Sequence, residues 1–107
     1  AYLNAIIKYF NTNISKNFTL QDLCDEFKLS KSYLNLLFKK NTNTSPINYF
    51  ISMKMKEACK MLRSTNFTIK IIAANLGYLD PYYFSFLFKK VVGVSPTEYR
   101  TFNMIFS

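Results

Sequence analysis

The sequence predicts an all-α protein of about seven helices, in which two similar helical units are joined by a long connecting helix. Residues 18–49 and residues 67–99 repeat one pattern, which indicates a duplicated supersecondary unit. Apolar residues recur at intervals of three and four, the spacing of one face of an α-helix. Ser-Pro pairs at positions 45–46 and 95–96 are typical helix starts, because proline suits the first helical position.

The repeat keeps a nearly constant spacing. The two copies lie 49 positions apart as far as Phe27 and Leu76, and 50 positions apart after one inserted residue. Ten pairs of positions are identical: Phe18/Phe67, Thr19/Thr68, Tyr33/Tyr83, Leu37/Leu87, Phe38/Phe88, Lys39/Lys89, Lys40/Lys90, Ser45/Ser95, Pro46/Pro96 and Tyr49/Tyr99. Because two copies are too few for a solenoid, we expect each unit to have a small core of its own.

Residues 1–45 are predicted to contain three helices, of which the second and third belong to the first copy of the repeat. Thr19 and Ser30 can cap the second and third, and Asp22 completes a weaker form of the capping box. Asn43 is suited to the left-handed conformation that ends the third helix. The residues expected to face inward are Leu3, Ile6, Ile7 and Phe10, then Leu20, Leu23, Cys24 and Phe27, then Tyr33, Leu34, Leu37 and Phe38.

The connecting helix is predicted over residues 46–64, and the second copy follows it. Thr68 and Asp80 take the capping positions, Gly93 takes the place of Asn43, and residues 95–98 form a full capping box for the last helix. The predicted segments are therefore residues 1–45, residues 46–64 and residues 65–107. The apolar stripe of the connecting helix is Ile47, Phe50, Ile51, Met55, Ala58, Cys59 and Leu62.

Composition limits the classes of function. The formal charge of +8 favours a polyanionic partner, which is nucleic acid or, less often, an anionic membrane surface. No apolar run approaches the roughly 18 residues of a transmembrane helix, and no signal peptide is recognisable at residues 1–10. The chain lacks an initiator Met, so we expect it to be a fragment of a longer protein. Cys24 and Cys59 form no metal spacing or disulfide framework, which favours a reduced, cytosolic setting.

Enzyme activity, a cofactor and a metal site have little support in the sequence. The chain contains no His and only two Gly, and no pair of carboxylates is placed for acid–base chemistry. Three acidic residues cluster on the second predicted helix, at Asp22, Asp25 and Glu26. A solvated helix face is the favoured interpretation of this cluster.

Each copy has the outline of a helix-turn-helix, with a short helix, a tight turn and a second helix that has one free face. The turn is Lys28-Leu29 in the first copy and residues 77–79 in the second, where Gly77 suits a positive φ. Residues 72–100, including GYLDPYYFSFLFKKVVGVSPTEYR, resemble the signature of the AraC/XylS family of bacterial transcription regulators. SYLNLLFKK and SPINY in the first copy fit the same family, so the resemblance covers essentially the whole chain.

The resemblance implies two helix-turn-helix subdomains with recognition helices at about residues 30–41 and 80–92. These helices would enter adjacent major-groove segments of double-stranded DNA, about one turn of 10–10.5 bp apart, on an asymmetric site. The resemblance also implies transcription regulation in the bacterial cytoplasm, by activation, with RNA polymerase as a further partner. A sensor or effector domain would precede this module in the full-length protein.

Helical phase predicts which side chains face the groove. The residues expected to read bases are Ser32, Asn35, Leu36, Tyr82, Ser85 and Phe86. The residues expected to bind phosphate are Lys31, Lys39, Lys40, Lys89 and Lys90. The helix starts at Pro46 and Pro96 offer further N–H groups for phosphate.

Leu36 and Phe86 depart from the family pattern, because many members place an Arg that reaches guanine at these positions. Either the two side chains pack into the core, or they contact thymine methyl groups. Packing is favoured for Leu36. Phe86 is harder to bury, because Phe84, Leu87 and Phe88 fill the inward face. We therefore hypothesise a binding site rich in A·T pairs.

An alternative function is a basic helical module that binds an anionic membrane or an acidic protein. It predicts lysines along one face of a single amphipathic helix. The chain instead has Lys-Lys at equivalent positions of two separate helices, at 39–40 and 89–90. This distribution favours two matched contacts to the backbone of a duplex.

Overall fold

A computed structural model describes residues 2–106, and these residues form seven α-helices and no strand. The all-α prediction is therefore confirmed, and the connecting helix spans the predicted residues. Positions 1 and 107, the outer limits of the predicted segments, lie outside the described residues. The helices are α1 Tyr2–Thr12, α2 Leu20–Phe27, α3 Lys31–Thr42, α4 Pro46–Ser64, α5 Ile69–Asn75, α6 Pro81–Val92 and α7 Pro96–Phe106.

The chain divides into two compact units, and the division falls inside α4, between Met53 and Lys54. The first half of α4 therefore belongs to the first unit, and its second half belongs to the second unit. The division into residues 1–45, 46–64 and 65–107 treats α4 as a separate segment, and it stays a prediction.

The core of the first unit is formed by one face of each of its helices. Ring stacking of Phe10 on Phe50, with centroids 4.5 Å apart, joins α1 to α4. The buried residues come from the predicted inward sets and are Ile6, Phe10, Leu23, Cys24, Leu34, Phe38 and Phe50. Tyr33 is an exception: it is 42% exposed, and its ring packs edge-on against Tyr2. The inward prediction for Tyr33 is wrong because Leu34 and Phe38 already fill that side of α3.

The second unit has an equivalent core. Phe88 of α6 packs edge-to-face against Tyr99 of α7, with centroids 5.8 Å apart. This pair corresponds to Phe38 and Tyr49 in the first unit, whose centroids are 5.6 Å apart. The duplication therefore preserves the contact that joins α3 to α4 in the first unit and α6 to α7 in the second. The buried apolar residues of this unit are Met55, Ala58, Leu62, Ile72, Ala73, Leu76, Tyr78, Phe84, Leu87 and Phe88.

Lys54 is buried in the second unit, at only 1% exposure. Its Nζ donates a hydrogen bond to the Leu76 carbonyl (2.5 Å), directly after α5, and lies 4.9 Å from the centre of the Tyr78 ring. Burial lowers the pKa of Lys54 to about 8. Lys54 was not among the residues predicted to be buried, although its position, four after Phe50 and four before Ala58, belongs to the apolar stripe of α4.

Arg100 joins α7 to the end of α4 and the loop that follows. Its Nε donates to the Leu62 carbonyl (3.1 Å), Nη1 to the Phe67 carbonyl (2.7 Å) and Nη2 to the Thr65 carbonyl (3.2 Å). The last carbonyls of a helix have no intrahelical partner, so this guanidinium group satisfies one of them and orders the loop as well.

The predicted helix starts are confirmed by their capping hydrogen bonds. The Thr19 N–H donates to Asp22 Oδ2 (2.8 Å), and the Asp22 N–H donates to Thr19 Oγ1 (3.1 Å). Ser95 and Glu98 form the same reciprocal pair at 3.0 and 3.1 Å. Asp80 accepts from the Tyr82 N–H (2.9 Å), with Pro81 as the first helical residue.

Among residues 2–106, four residues adopt positive φ, at equivalent places in the two copies. Lys28 (φ 54°) and Gly77 (φ 89°) lie in the turns, and Asn43 (φ 61°) and Gly93 (φ 103°) end α3 and α6. Glycine and asparagine tolerate this region, whereas a lysine in it is disfavoured by about 1–2 kcal/mol. The turn of the first unit therefore forms in spite of an unfavourable backbone conformation.

We predict that Lys28→Gly stabilises the protein by about 0.5–1 kcal/mol, because it relieves the left-handed strain at the expense of some unfolded-state entropy. Urea denaturation followed by circular dichroism measures the change. Lys40→Gly, at an exposed helical position, serves as the control and should destabilise the protein by about 1 kcal/mol.

A second control is Gly93→Ala, which should also destabilise the protein by about 1 kcal/mol. An added Cβ at Gly93 meets no atom within 4 Å, so the cost comes from the positive φ of the backbone and not from a steric clash. A destabilised Lys28→Gly variant would contradict this account.

We predict that the unfolding free energy of the wild type rises relative to that of Lys54→Met as the pH increases from about 8 to about 10. The folded state releases the Lys54 proton near pH 8, while the unfolded chain holds it up to the ordinary lysine pKa. The unfolded state then binds more protons, so stability increases with pH. Urea denaturation across this pH range measures the difference, and Lys56→Met on the same helix controls for the loss of one charge. A difference that stays flat or falls with pH contradicts the prediction.

Candidate nucleic-acid interface

The orientation of α3 is fixed by its buried side. Ser30 Oγ accepts the Tyr33 N–H (3.1 Å) at the start of the helix, and Leu34 and Phe38 are fully buried. The opposite face of α3 is therefore turned to solvent. All six predicted site residues of this helix are exposed, namely Lys31, Ser32, Asn35, Leu36, Lys39 and Lys40.

Leu36 is 64% exposed, so the expectation that it packs into the core is wrong. It lies two residues from both Leu34 and Phe38, which in an α-helix places it on the opposite side from them. The inward space is already filled by those two side chains. Leu36 is therefore available for contact with a partner.

The orientation of α6 is fixed in the same way, by the buried residues Phe84, Leu87 and Phe88. Tyr82 is 86% exposed and Phe86 is 63% exposed, in agreement with the expectation that Phe86 is not buried. The other predicted site residues of this helix are Ser85, which is half-buried, and Lys89 and Lys90, which are exposed.

Phe86 is supported by two tyrosine rings. It stacks on Tyr83, with centroids 6.5 Å apart and planes 23° apart, and Tyr83 contacts Tyr78 at 6.2 Å. Tyr78 is buried at 8% exposure, and this burial raises its pKa to about 12. The exposed ring of Phe86 is therefore connected to the core through a continuous series of aromatic contacts.

An open groove of about 460 Å³ lies along the outward face of α6. Aromatic rings and two ammonium groups surround it, together with the Ser95 cap of α7. Its lining residues are Tyr82, Ser85, Phe86, Lys89, Lys90 and Ser95. Sequence reasoning gave five of these six residues a site role and missed Ser95, whose position at the start of the next helix was the available signal.

The two predicted phosphate sites at helix starts differ in charge. At the start of α7, the Ser95 N–H donates to the Glu98 carboxylate, and this hydrogen bond holds the pKa of Glu98 below its usual value. A carboxylate at this position opposes phosphate binding, so the expectation for Pro96 is weakened. At the start of α4, Ser45 Oγ accepts the Asn48 N–H (3.2 Å), and the residue equivalent to Glu98 is a neutral Asn. The start of α4, at Pro46, is therefore the better candidate for a phosphate site.

The acidic cluster lies on α2. Asp22 belongs to the helix cap, Asp25 accepts from Gln21 Nε2 (2.8 Å), and Glu26 accepts from the Tyr9 hydroxyl (3.4 Å). Burial raises the pKa of Tyr9, and the negative charge of the nearby Glu26 carboxylate raises it further. These three carboxylates are exposed, and each has a local hydrogen-bonding partner.

The chemistry of the two outward faces suits a polyanion. Neither α3 nor α6 contains Asp or Glu, and each has two lysines in its last turn. Short polar side chains and apolar side chains occupy the middle of each face, where they could contact base edges. Which of these residues contact bases and which contact phosphates stays a prediction. Within the described residues, no helix is both long and apolar enough to cross a membrane.

The fold and these two faces define a protein with two helix-turn-helix units, each presenting an exposed recognition helix. A family model described as a helix-turn-helix domain matches residues 23–101. The chain belongs to the AraC-type family of helix-turn-helix DNA-binding domains, as its sequence motifs indicated.

Similar proteins agree with this assignment. The raffinose operon transcriptional regulatory protein RafR of Pediococcus pentosaceus is 38% identical over 97 residues, which are 91% of this chain and 35% of RafR. The lactose operon transcription activator of Staphylococcus xylosus is 36% identical over 88% of this chain and 34% of its own length. The C-terminal domain of the two-component response regulator yesN from Fusobacterium nucleatum superposes with a TM-score of 0.84 at 30% identity, covering 92% of this chain and 97% of that domain. The chain thus spans about a third of the length of these two curated relatives.

Proposed function

We propose that this chain binds double-stranded DNA sequence-specifically through α3 and α6, and that the protein containing it regulates bacterial transcription. The observation that carries the proposal is the matched pair of helices α3 and α6. Each contains no acidic residue, has one buried and one exposed face, and carries two lysines in its last turn. An α-helix of this kind fits the major groove of B-DNA.

The lysines and the central residues have different roles in this proposal. Lys39, Lys40, Lys89 and Lys90 lie in the last turns of their helices, where contact with phosphate positions the protein but reads no sequence. Lys31, at the start of α3, has the same proposed role. Sequence reading then falls to the middle of each outward face, where Asn35 could bond bidentately to adenine.

The proposed DNA site is asymmetric. The central residues are Ser32, Asn35 and Leu36 on α3 but Tyr82, Ser85 and Phe86 on α6, so the two helices offer different groups to the bases. We therefore infer two unlike half-sites in adjacent major-groove segments, about 10–10.5 bp apart. One chain would then supply both recognition helices.

The wider regulatory role is inferred from the family. The name of the Staphylococcus xylosus relative describes a transcription activator, and activation is the mode we propose here. Activation would require contact with RNA polymerase, for which the exposed carboxylates of α2 are a suitable surface. A sensor or effector domain in the full-length protein and a cytoplasmic location belong to the same proposal. Binding to an anionic membrane or an acidic protein is less favoured, because the lysines are divided between two helices.

Selection from a pool of random duplexes of about 30 bp should enrich two unlike half-sites separated by about one helical turn. Sequencing of the enriched pool measures the preference at each position. Asn35→Ala should relax the preference in one half-site only and leave the other unchanged, which assigns the first half-site to α3. Absence of enrichment over the starting pool would contradict sequence-specific binding by this chain.

DNA affinity should fall steeply with salt, with a log–log slope of about −0.9 for each phosphate neutralised. Lys40→Gln and Lys90→Gln should each make the slope less negative by about 0.9, without changing the preferred sequence. Fluorescence anisotropy of the enriched duplex across a salt series gives these slopes. The matched control is Lys8→Gln, which removes an exposed lysine of α1 and should leave the slope unchanged. A wild-type slope near zero would rule out an electrostatic interaction with DNA.

A further inference from the structure

We propose that α6 recognises the 5-methyl group of thymine in the major groove, through an aromatic cup formed by Tyr82 and Phe86. This inference rests on the proposed function and specifies which chemical group of the DNA the second recognition helix reads.

The aromatic cup is exposed but held in place. Phe86 stacks on Tyr83, and Tyr83 packs on the buried Tyr78, so the Phe86 ring is supported from the core outward. A side chain that is already restrained loses little conformational entropy when it binds. The Asp80 cap, which accepts the Tyr82 N–H at 2.9 Å, fixes the backbone at the other side of the cup.

The chemistry of the groove on α6 favours thymine over the other bases. Base edges in the major groove present hydrogen-bond donors and acceptors, and thymine alone adds an apolar methyl group. A polar edge pressed against the Phe86 ring would lose water without gaining a hydrogen bond, which is unfavourable. No arginine lies on α6 to pair with guanine. A thymine methyl group therefore fits the aromatic cup best.

The charges around the groove fit the same occupant. Lys89 and Lys90 line the groove together with the two rings. An apolar contact flanked by ammonium groups matches a duplex, in which the methyl group lies in the groove and phosphates form its edges. On α3 the equivalent residue is Leu36, and Tyr33 packs against Tyr2. The first helix therefore has no stacked ring at this position, and we expect methyl dependence to be strongest in the half-site of α6.

The test replaces each thymine of the enriched duplex, one at a time, with deoxyuridine, which removes only the methyl group. Fluorescence anisotropy with the 107-residue chain should show affinity about fourfold weaker at one or two positions, as expected for one buried methyl group. Phe86→Ala should abolish this sensitivity at those positions. If that variant binds too weakly to measure, Tyr82→Ala provides the same comparison.

Phe102→Ala is the matched control, because Phe102 is an exposed ring on α7 outside both recognition helices. This variant should keep the full sensitivity to deoxyuridine. Equal wild-type affinity for thymine and deoxyuridine at every position would overturn the thymine inference and leave DNA binding intact. Sensitivity that persists in Phe86→Ala would also overturn it. Failure to enrich any duplex would instead contradict the proposed function itself.

Discussion

The burial of one side of each recognition helix is the constraint on which the rest of the structure depends. Phe38 and Phe88 are fully buried, and each packs against the tyrosine of the following helix, Tyr49 or Tyr99. Once the buried side of a helix is fixed, helical geometry determines which residues face outward. The exposed faces of α3 and α6 therefore follow from core packing. Close packing stabilises this orientation of α3 and α6, because rotating either helix about its axis would expose two or more large apolar side chains.

The duplication separates the residues that build the units from those that distinguish them. Positions that are identical in the two copies include the buried Phe38/Phe88, the Ser45/Ser95 caps and the paired lysines in the last turns. The outward central positions, by contrast, differ at every pair. In the proposed function, identical frameworks and identical lysines would give equivalent positioning on a regular DNA backbone, while the different central residues would read different bases. The asymmetric DNA site that we propose would follow from a duplicated domain whose outward faces have diverged.

Local interactions explain why much of the fold could be predicted from the sequence. The caps at Thr19 and Ser95 and the bounds of α4 depend on residues three or four apart, which a sequence pattern shows directly. Tyr33 could not be placed in this way, because its exposure depends on which neighbouring side chains have already filled the space. Helical spacing does indicate an outward position for Leu36 and a buried one for Lys54, but a leucine and a lysine are typical of the opposite environments. The support of Phe86 by Tyr83 and Tyr78 was missed because it involves a residue of the preceding turn.

The two turns reach similar conformations through different physical means. In the second unit, Gly77 adopts a positive φ with no steric penalty, and the buried Lys54 holds the Leu76 carbonyl beside it. In the first unit, Lys28 adopts the same backbone region against its intrinsic preference, and its stability must come from the packing of α2 and α3. Removing a buried ammonium group and removing backbone strain are different perturbations, with different dependences on pH. The two units therefore differ in their turns as well as in their outward faces. The stability of the second turn depends on pH through Lys54, whereas that of the first depends on the backbone strain at Lys28.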